Sequence, residues 1–318
     1  MLNYVLIIFI LIASELIYFR IADHLNIIDK PNERSSHSKV TLLGGGVIFY
    51  TSILVYFLLQ GFNYPWFFIG FTLIAAISFA DDVKQQSLLL RLFVQIASVV
   101  LLLQQLNFFS QPLYVFLIVL VACTWILNAY NFMDGINGIT GGYSFILMLT
   151  FWYLNTFVVQ FVDNELIYTL FIALVIFLFF NFRTKAKCFA GDVGAISLAY
   201  IVVFILGLLI LKTNDLSYIV LLAVYGVDSG LTIIHRLILK ENIFKPHRKH
   251  LYQILANEMR FSHLTVSIIY MSIQLLVNIG FMFFDNKYIY SSIIILILSV
   301  TYYFLVRKHF HLHDNNDD

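Results

Sequence analysis

Long, nearly unbroken apolar runs alternate with short polar segments along the whole chain. Runs near the length of about 20 residues that crosses a bilayer as a helix fall at roughly 2–22, 42–60, 64–80, 92–107, 112–128, 140–161, 165–182, 194–211, 217–235, 262–284 and 288–306. They predict about eleven transmembrane helices, because an outer-membrane barrel would show shorter, alternating segments instead. The expected fold is an all-α, polytopic membrane helix bundle. One integral membrane domain is expected over 1–306, followed by a polar cytoplasmic tail at 307–318.

The cationic residues orient this pattern. Of the 19 Lys and Arg residues, all but Lys212 and Lys287 fall on one side if residue 1 starts outside, which the positive-inside rule reads as N-terminus outside and C-terminus cytoplasmic. Outer connections such as Gly61 to Asn63 and Asp285 to Lys287 are short, so any chemistry is expected from the cytoplasmic side. Composition agrees: 61% of residues are hydrophobic, 12% are charged and mean hydropathy is +0.88, against roughly 45–50% apolar and about 25% charged in soluble domains. The lipid bilayer is an expected partner and nucleic acid is not. The first run has no small-residue cleavage site before Arg20 and reads as a retained span. Cys123 in a span and Cys188 in an inner loop predict no disulfide.

Polar islands interrupt the runs, all on the inner side. In the island from Asn128 to Gly142, Asn128, Asn131 and Asp134 recur every three residues and share one helix face if the preceding helix continues. The glycines at 135, 138, 141 and 142 then let the backbone bend or approach a ligand closely. Such an island reads either as the floor of an active site or as a broken helix of the transporter type. The adjacent Asp81 and Asp82 end the third run and require a cation, a proton or a partner, unless both are simply solvated at the interface. Asp192, framed by Gly191 and Gly194 after Arg183, Lys185 and Lys187, adds another carboxylate on this face. Carboxylate oxygens together with substrate phosphates suit a hard divalent cation such as magnesium.

Three further features stay open. Gly44 to Gly46 with Lys39 nearby suit a phosphate at a helix start, or belong to a plain inner loop. Asp228 is a site candidate by its depth, or a partner of Arg236 or of a donor on another span. The Lys245 to Gln253 segment is an anion-binding cluster or an ordinary positive-inside loop; it lacks zinc-ligand spacing.

Together, Asp81-Asp82, the Asn128, Asn131, Asp134, Gly135 spacing, the Phe189, Gly191, Asp192, Gly194 spacing and the His247-Arg248-Lys249-His250 loop resemble the polyprenyl-phosphate N-acetylhexosamine-1-phosphate transferases, glycosyltransferase family 4. The resemblance runs from Asp29 to about Gln253, and Pro31 to His37, Met133 to Gly138 and Pro246 to Gln253 are most similar to the O-antigen initiating branch. It implies a magnesium-dependent enzyme (manganese as an alternative) of the bacterial inner membrane. The implied reaction moves a sugar-1-phosphate from a UDP-N-acetylhexosamine, or a 6-deoxy relative, to undecaprenyl phosphate and releases UMP, initiating O-antigen or another surface polysaccharide. By position, Asp192 would be a magnesium ligand, Asp134 would contribute to the metal or the nucleotide site, and Asp81 and Asp82 would handle the lipid phosphate, one as proton acceptor. Catalytic roles are implied for Asp81, Asp82, Asp134 and His250, and substrate contacts for Lys39, Asn128, Asn131, Asn137, Phe189, His247 and Arg248. Dimers are common among such enzymes, so a homodimer is one arrangement implied.

Two departures stand out. Asn137 occupies a place where the family often has a second Asp, and His250-Leu-Tyr-Gln253 replaces the His-Leu-His-His of many relatives. The rival class is a secondary transporter, which would place its ionisable groups near mid-bilayer; only Glu15 and Asp228 are that deep. A silent scaffold of the same fold gives no reason to retain Asp81, Asp82, Asp134 and Asp192.

Overall fold

The computed structural model describes residues 4–29, 40–242 and 247–309. Lys39, the Pro31 to His37 motif, Lys245, Pro246 and the tail from residue 310 lie outside the described residues.

The apolar runs form α1 (Tyr4–His24), α2 (Val47–Leu59), α3 (Pro65–Val83), α4 (Leu88–Gln105), α5 (Leu113–Met133), α6 (Ile139–Tyr153), α7 (Asn164–Asn181), α8 (Gly191–Thr213) and α9 (Ala223–Ile238). A short α10 (Leu251–Gln253) precedes α11 (His263–Phe283) and α12 (Lys287–Val306). Among the described residues, 9 helical stretches are long and apolar enough to cross a membrane. The runs at 42–60 and 140–161 instead give shorter helices, α2 of 13 residues and α6 of 15.

Those two still connect both ends of the bundle. At its start, α2 lies against the start of α8, where a Cβ on Gly46 would collide with the Cα of Gly194; near its end, the Tyr56 hydroxyl donates to Asp163 Oδ2 at 2.7 Å. A π turn, Leu154–Val158, extends α6. There Asn155 donates to Val162 O at 3.0 Å and Asn164 Oδ1 at 2.8 Å, joining the turn to the start of α7. Backbone in a bilayer must satisfy its own polar groups, and helices do so within one segment.

The centre of the bundle is α8, buried along most of its length, with α2, α3 and α5 packed around it. Small residues permit the closest crossings. Gly70 leaves room for the Tyr200 hydroxyl, which donates to Ser98 O at 2.8 Å and so ties α3, α8 and α4 together. Phe67 stacks on Phe204 with centroids 4.1 Å apart. Between α6, α9 and α11 the interior is polar: Tyr143 donates to Gln274 Oε1 at 2.7 Å, Gln274 to Asn278 at 2.6 Å and Asn278 to Thr150 at 2.8 Å. Such bonds average only about 0.6 kcal/mol each within membranes, so they align the helices more than they hold them. The outer faces of α1, α5 and α12 expose rows of Leu, Ile, Val and Phe suited to lipid.

A small hairpin, β1 (Ile28–Asp29) paired antiparallel with β2 (Thr41–Leu42), closes one end of the bundle. Leu42 also bridges Cys188 in parallel, and the pairing continues as Gly45 and Gly46 donate their N–H groups to Phe189 O at 2.8 Å and Ala190 O at 3.0 Å. The phosphate-loop alternative for the triple glycine is thereby corrected. Two of its N–H groups are taken by carbonyls, and the glycines serve close packing against α8. Both cysteines are free and buried; burial, with Glu15 next to it, pushes the Cys188 thiol well up.

Candidate active site

The C-termini of α3, α5 and α7 and the N-termini of α6, α8 and α11 meet at the hairpin end of the bundle. They surround a cavity of about 330 Å³ lined by Asp82, Asn131, Asp134, Asn137, Phe189 and Asp192, together with Asp29, Asn181, Gln253 and His263.

The acidic wall is built on the start of α8. A helix N-terminus leaves its first N–H groups without intrahelical partners, and a carboxylate satisfies both the bonds and the dipole. Asp82 does this from α3, accepting from Asp192 N–H at 2.8 Å and Val193 N–H at 3.0 Å. Gly191, at φ +72°, makes the turn, and a Cβ there would strike the Asp82 carboxylate. Asp81 does not line the cavity; it accepts Gln86 N–H at 2.5 Å and Arg91 Nη1 at 2.8 Å. The same Nη1 lies 3.5 Å from Asp192 Oδ2, so Arg91 bridges Asp81 to Asp192. The neighbouring carboxylates therefore do different jobs, one capping α8 and one holding an arginine.

The glycine-rich break forms the floor. α5 stops at Met133, and Asp134 N–H donates to Asn131 O at 3.2 Å. Burial pushes the Asp134 carboxyl up to about 7, with Asp192 adding and the Thr140 hydroxyl opposing. Gly138 takes φ +85° with the Phe182 ring where a Cβ would sit; its N–H donates to Asn181 Oδ1 at 2.7 Å, and Asn181 donates to Cys188 O at 2.9 Å. Asn137 donates to Arg183 O at 2.7 Å. Asn128, one turn deeper, turns to α4 and donates to Gln95 Oε1 at 3.1 Å. Asn131 and Asp134 thus line the cavity and Asn128 does not.

The basic segment stands behind this wall. His250 is 2% exposed, with its Nδ1 3.5 Å from Asp228 Oδ1 and its ring against Phe132 and Tyr252. Lys249 and Arg236 both pair with Glu241, Arg236 Nε lying 2.9 Å from Oε2; after burial, which acts upward, these partners leave the Glu241 carboxyl below its ordinary value. Burial, then the charges of His250, Arg236 and Lys249, push His247 down to about 2. Neither His247, Arg248 nor His250 is on the cavity wall; Gln253, at the end of the segment, is. Asp228 pairs with this segment rather than with Arg236.

Sequence reasoning missed Asp29, Asn181, Gln253 and His263 as cavity residues. Asn181 and Gln253 border motifs that were recognised, so adjacency was the available signal. A lone His at the start of α11 offers none.

Among the described residues, no three His, Cys, Asp or Glu side chains group closely enough to hold a metal ion by themselves. Apart from the His263 imidazole, the cavity donors are carboxylate and amide oxygens, without thiolate, which fits a hard cation that keeps waters and takes substrate phosphates.

The family model for glycosyl transferase family 4 matches residues 64–210, a span that contains Asp81, Asp82, the Asn128 to Gly142 break and Asp192. The chain is 26% identical to a Bacillus subtilis (strain 168) protein described as a probable undecaprenyl-phosphate N-acetylglucosaminyl 1-phosphate transferase, over 86% of this chain and 80% of that one. It is 23% identical to the undecaprenyl-phosphate alpha-N-acetylglucosaminyl 1-phosphate transferases of Escherichia coli (strain K12) and Shigella flexneri, over 82% of this chain and 77% of each. The family match over residues 64–210 and these relatives together make the chain similar to glycosyl transferase family 4 and support a place among the polyprenyl-phosphate hexosamine-1-phosphate transferases.

Proposed function

We propose that the protein transfers a sugar-1-phosphate from a UDP-N-acetylhexosamine to undecaprenyl phosphate, giving undecaprenyl-diphospho-sugar and UMP. The observation that carries this reading is the convergence of Asp82, Asp134 and Asp192 on one cavity at the bundle end. In the reaction an oxygen of the lipid phosphate bonds to the sugar-bearing phosphorus. The bond from that phosphorus to the oxygen bridging to uridine monophosphate breaks, and UMP leaves with the electron pair. A phosphate monoester is largely dianionic near pH 7, its second pKa being about 6, so the step needs positioning and charge neutralisation more than a base. The two N–H bonds to Asp82 and the Arg91 pair of Asp81 support positioning roles for both.

Asp192 and Asp134 would hold magnesium, with manganese as an alternative; the ion neutralises phosphate charge during transfer. Phe189 supplies a ring for uracil, and Asn131 and Asn137 supply amides for the nucleotide. Arg91 lies one helical turn from the exposed Leu88, which suits a phosphate arriving on a membrane-held isoprenoid. The cationic loops orient this end toward the cytoplasm of a bacterial inner membrane, and initiation of O-antigen or another surface polysaccharide is the role that follows. A transporter is disfavoured because the acidic groups gather at one end of the bundle rather than midway.

The test is incubation of purified protein with undecaprenyl phosphate and a panel of UDP-N-acetylhexosamines, followed by mass identification of the lipid. A diphospho-linked product supports the reading; no lipid product with any donor refutes it.

A further inference from the structure

We propose that Asp228 is a positioning residue for the substrate cavity, acting through the segment His250 to Gln253. The inference rests on the transferase reading above and adds a residue that is remote from the phosphates.

Asp228 lies on α9 and is 3% exposed. A carboxylate so deep in a bundle costs free energy unless its lone pairs are filled, and here they are filled almost entirely by one segment. Oδ1 accepts Leu251 N–H at 2.9 Å and Oδ2 accepts Tyr252 N–H at 3.3 Å. Oδ1 also lies 3.5 Å from His250 Nδ1. The remaining donors are the Tyr270 hydroxyl of α11, at 2.6 Å from Oδ2, and the Thr232 hydroxyl, at 3.3 Å from Oδ1.

From this anchor the segment reaches the cavity along two routes. Tyr252 donates its hydroxyl to Phe132 O at 2.9 Å, and its ring fills the space where a Cβ on Gly135 would sit. That fixes the end of α5 immediately beside Asp134. Gln253 follows and lines the cavity itself, its Oε1 accepting His250 N–H at 3.3 Å. The same side of α11 holds the floor, since Ser267 donates to Asn137 O at 2.8 Å. One buried carboxylate therefore sets where Gln253 and the Asp134 turn stand relative to each other. In the transferase reading Gln253 and the Asp134 turn are assigned to the UDP-sugar, and Arg91 to the lipid phosphate.

Asp228→Asn replaces one acceptor with an amide that meets donors, and Tyr270→Phe removes a single donor while leaving the ring. Steady-state kinetics are measured for both variants with UDP-N-acetylglucosamine and undecaprenyl phosphate, varying each in turn. The expected result is a KM for the UDP-sugar raised about 10-fold or more in Asp228→Asn and about 3- to 10-fold in Tyr270→Phe, with the KM for undecaprenyl phosphate unchanged. A purely structural role would lower the active fraction, and hence kcat, without that selective change in KM. If Asp228→Asn does not fold, Tyr270→Phe carries the test. Unchanged KM for the UDP-sugar in the folded variants overturns the inference and leaves the transferase reading intact. Absence of turnover in the wild type overturns both.

Discussion

The Asp82 carboxylate accepts the backbone N–H groups of Asp192 and Val193 at 2.8 and 3.0 Å, so the residue proposed to serve the metal is held in place by its acidic neighbour across the α3 to α8 contact. Asp82→Asn leaves one acceptor and removes the charge at the helix start. Turnover should fall about 10- to 100-fold, with a lower melting temperature as the α8 cap weakens. Asp82→Ala should be worse on both measures, and equal melting temperatures for wild type and Asp82→Ala would argue against the capping role.

Arg91 bridges Asp81 and Asp192 at 2.8 and 3.5 Å. Arg91→Ala should raise the KM for undecaprenyl phosphate about 10-fold or more, and Arg91→Lys should restore only part of it, because an ammonium does not reproduce the planar fork. Kinetics at varied lipid concentration check this. Full rescue by lysine would mean that charge alone matters there.

Gly46 sits where a Cβ would collide with the Gly194 backbone. Gly46→Ala should therefore force α2 away from α8 and sharply reduce the yield of monodisperse protein in detergent. Gly226→Ala, where an added Cβ would meet nothing closer than Trp125 at 3.9 Å, is the control for loss of a glycine from an uncrowded position. Equal yields for Gly46→Ala and wild type would contradict the close crossing.

His247 is pushed down to about 2 by burial and by the neighbouring His250, Arg236 and Lys249. The unfolded chain then binds a proton below about 6.5 that the folded chain refuses, so stability falls as pH drops through that value. Thermal unfolding between pH 5 and 7.5 (range set by the ordinary histidine pKa of about 6.5) should show a steeper loss for wild type than for His247→Gln. Parallel curves would remove His247 from the pH response.

Much of the fold was legible because a bilayer forces one code: apolar stretches of spanning length become helices. The shortening of α2 and α6 was not legible. Residues 41–46 pair with β1 and with Phe189 and Ala190 instead of starting α2, while α6 passes into a π turn at Leu154, and neither change shows in hydropathy. Asp82, Asn131, Asp134 and Asp192 were found as site candidates because acidic and amide side chains at helix ends stand out in an apolar chain. The exchange of partners was hidden. Nothing in the spacing shows that Asp228 takes the backbone of Leu251 and Tyr252, that His250 lies behind Phe132, or that Asn128 belongs to Gln95. Those contacts depend on helix rotation and on segments far apart in the chain.

The central claim is that phosphoryl transfer takes place at the cavity shared by Asp82, Asp134 and Asp192. It is tested most directly by UMP release from UDP-N-acetylglucosamine and undecaprenyl phosphate as magnesium is titrated into metal-depleted wild type and Asp192→Asn. The expected result is magnesium-dependent UMP in the wild type, with the rate for a folded Asp192→Asn protein about 100-fold or more lower. Equal magnesium-dependent rates for the two proteins would contradict it.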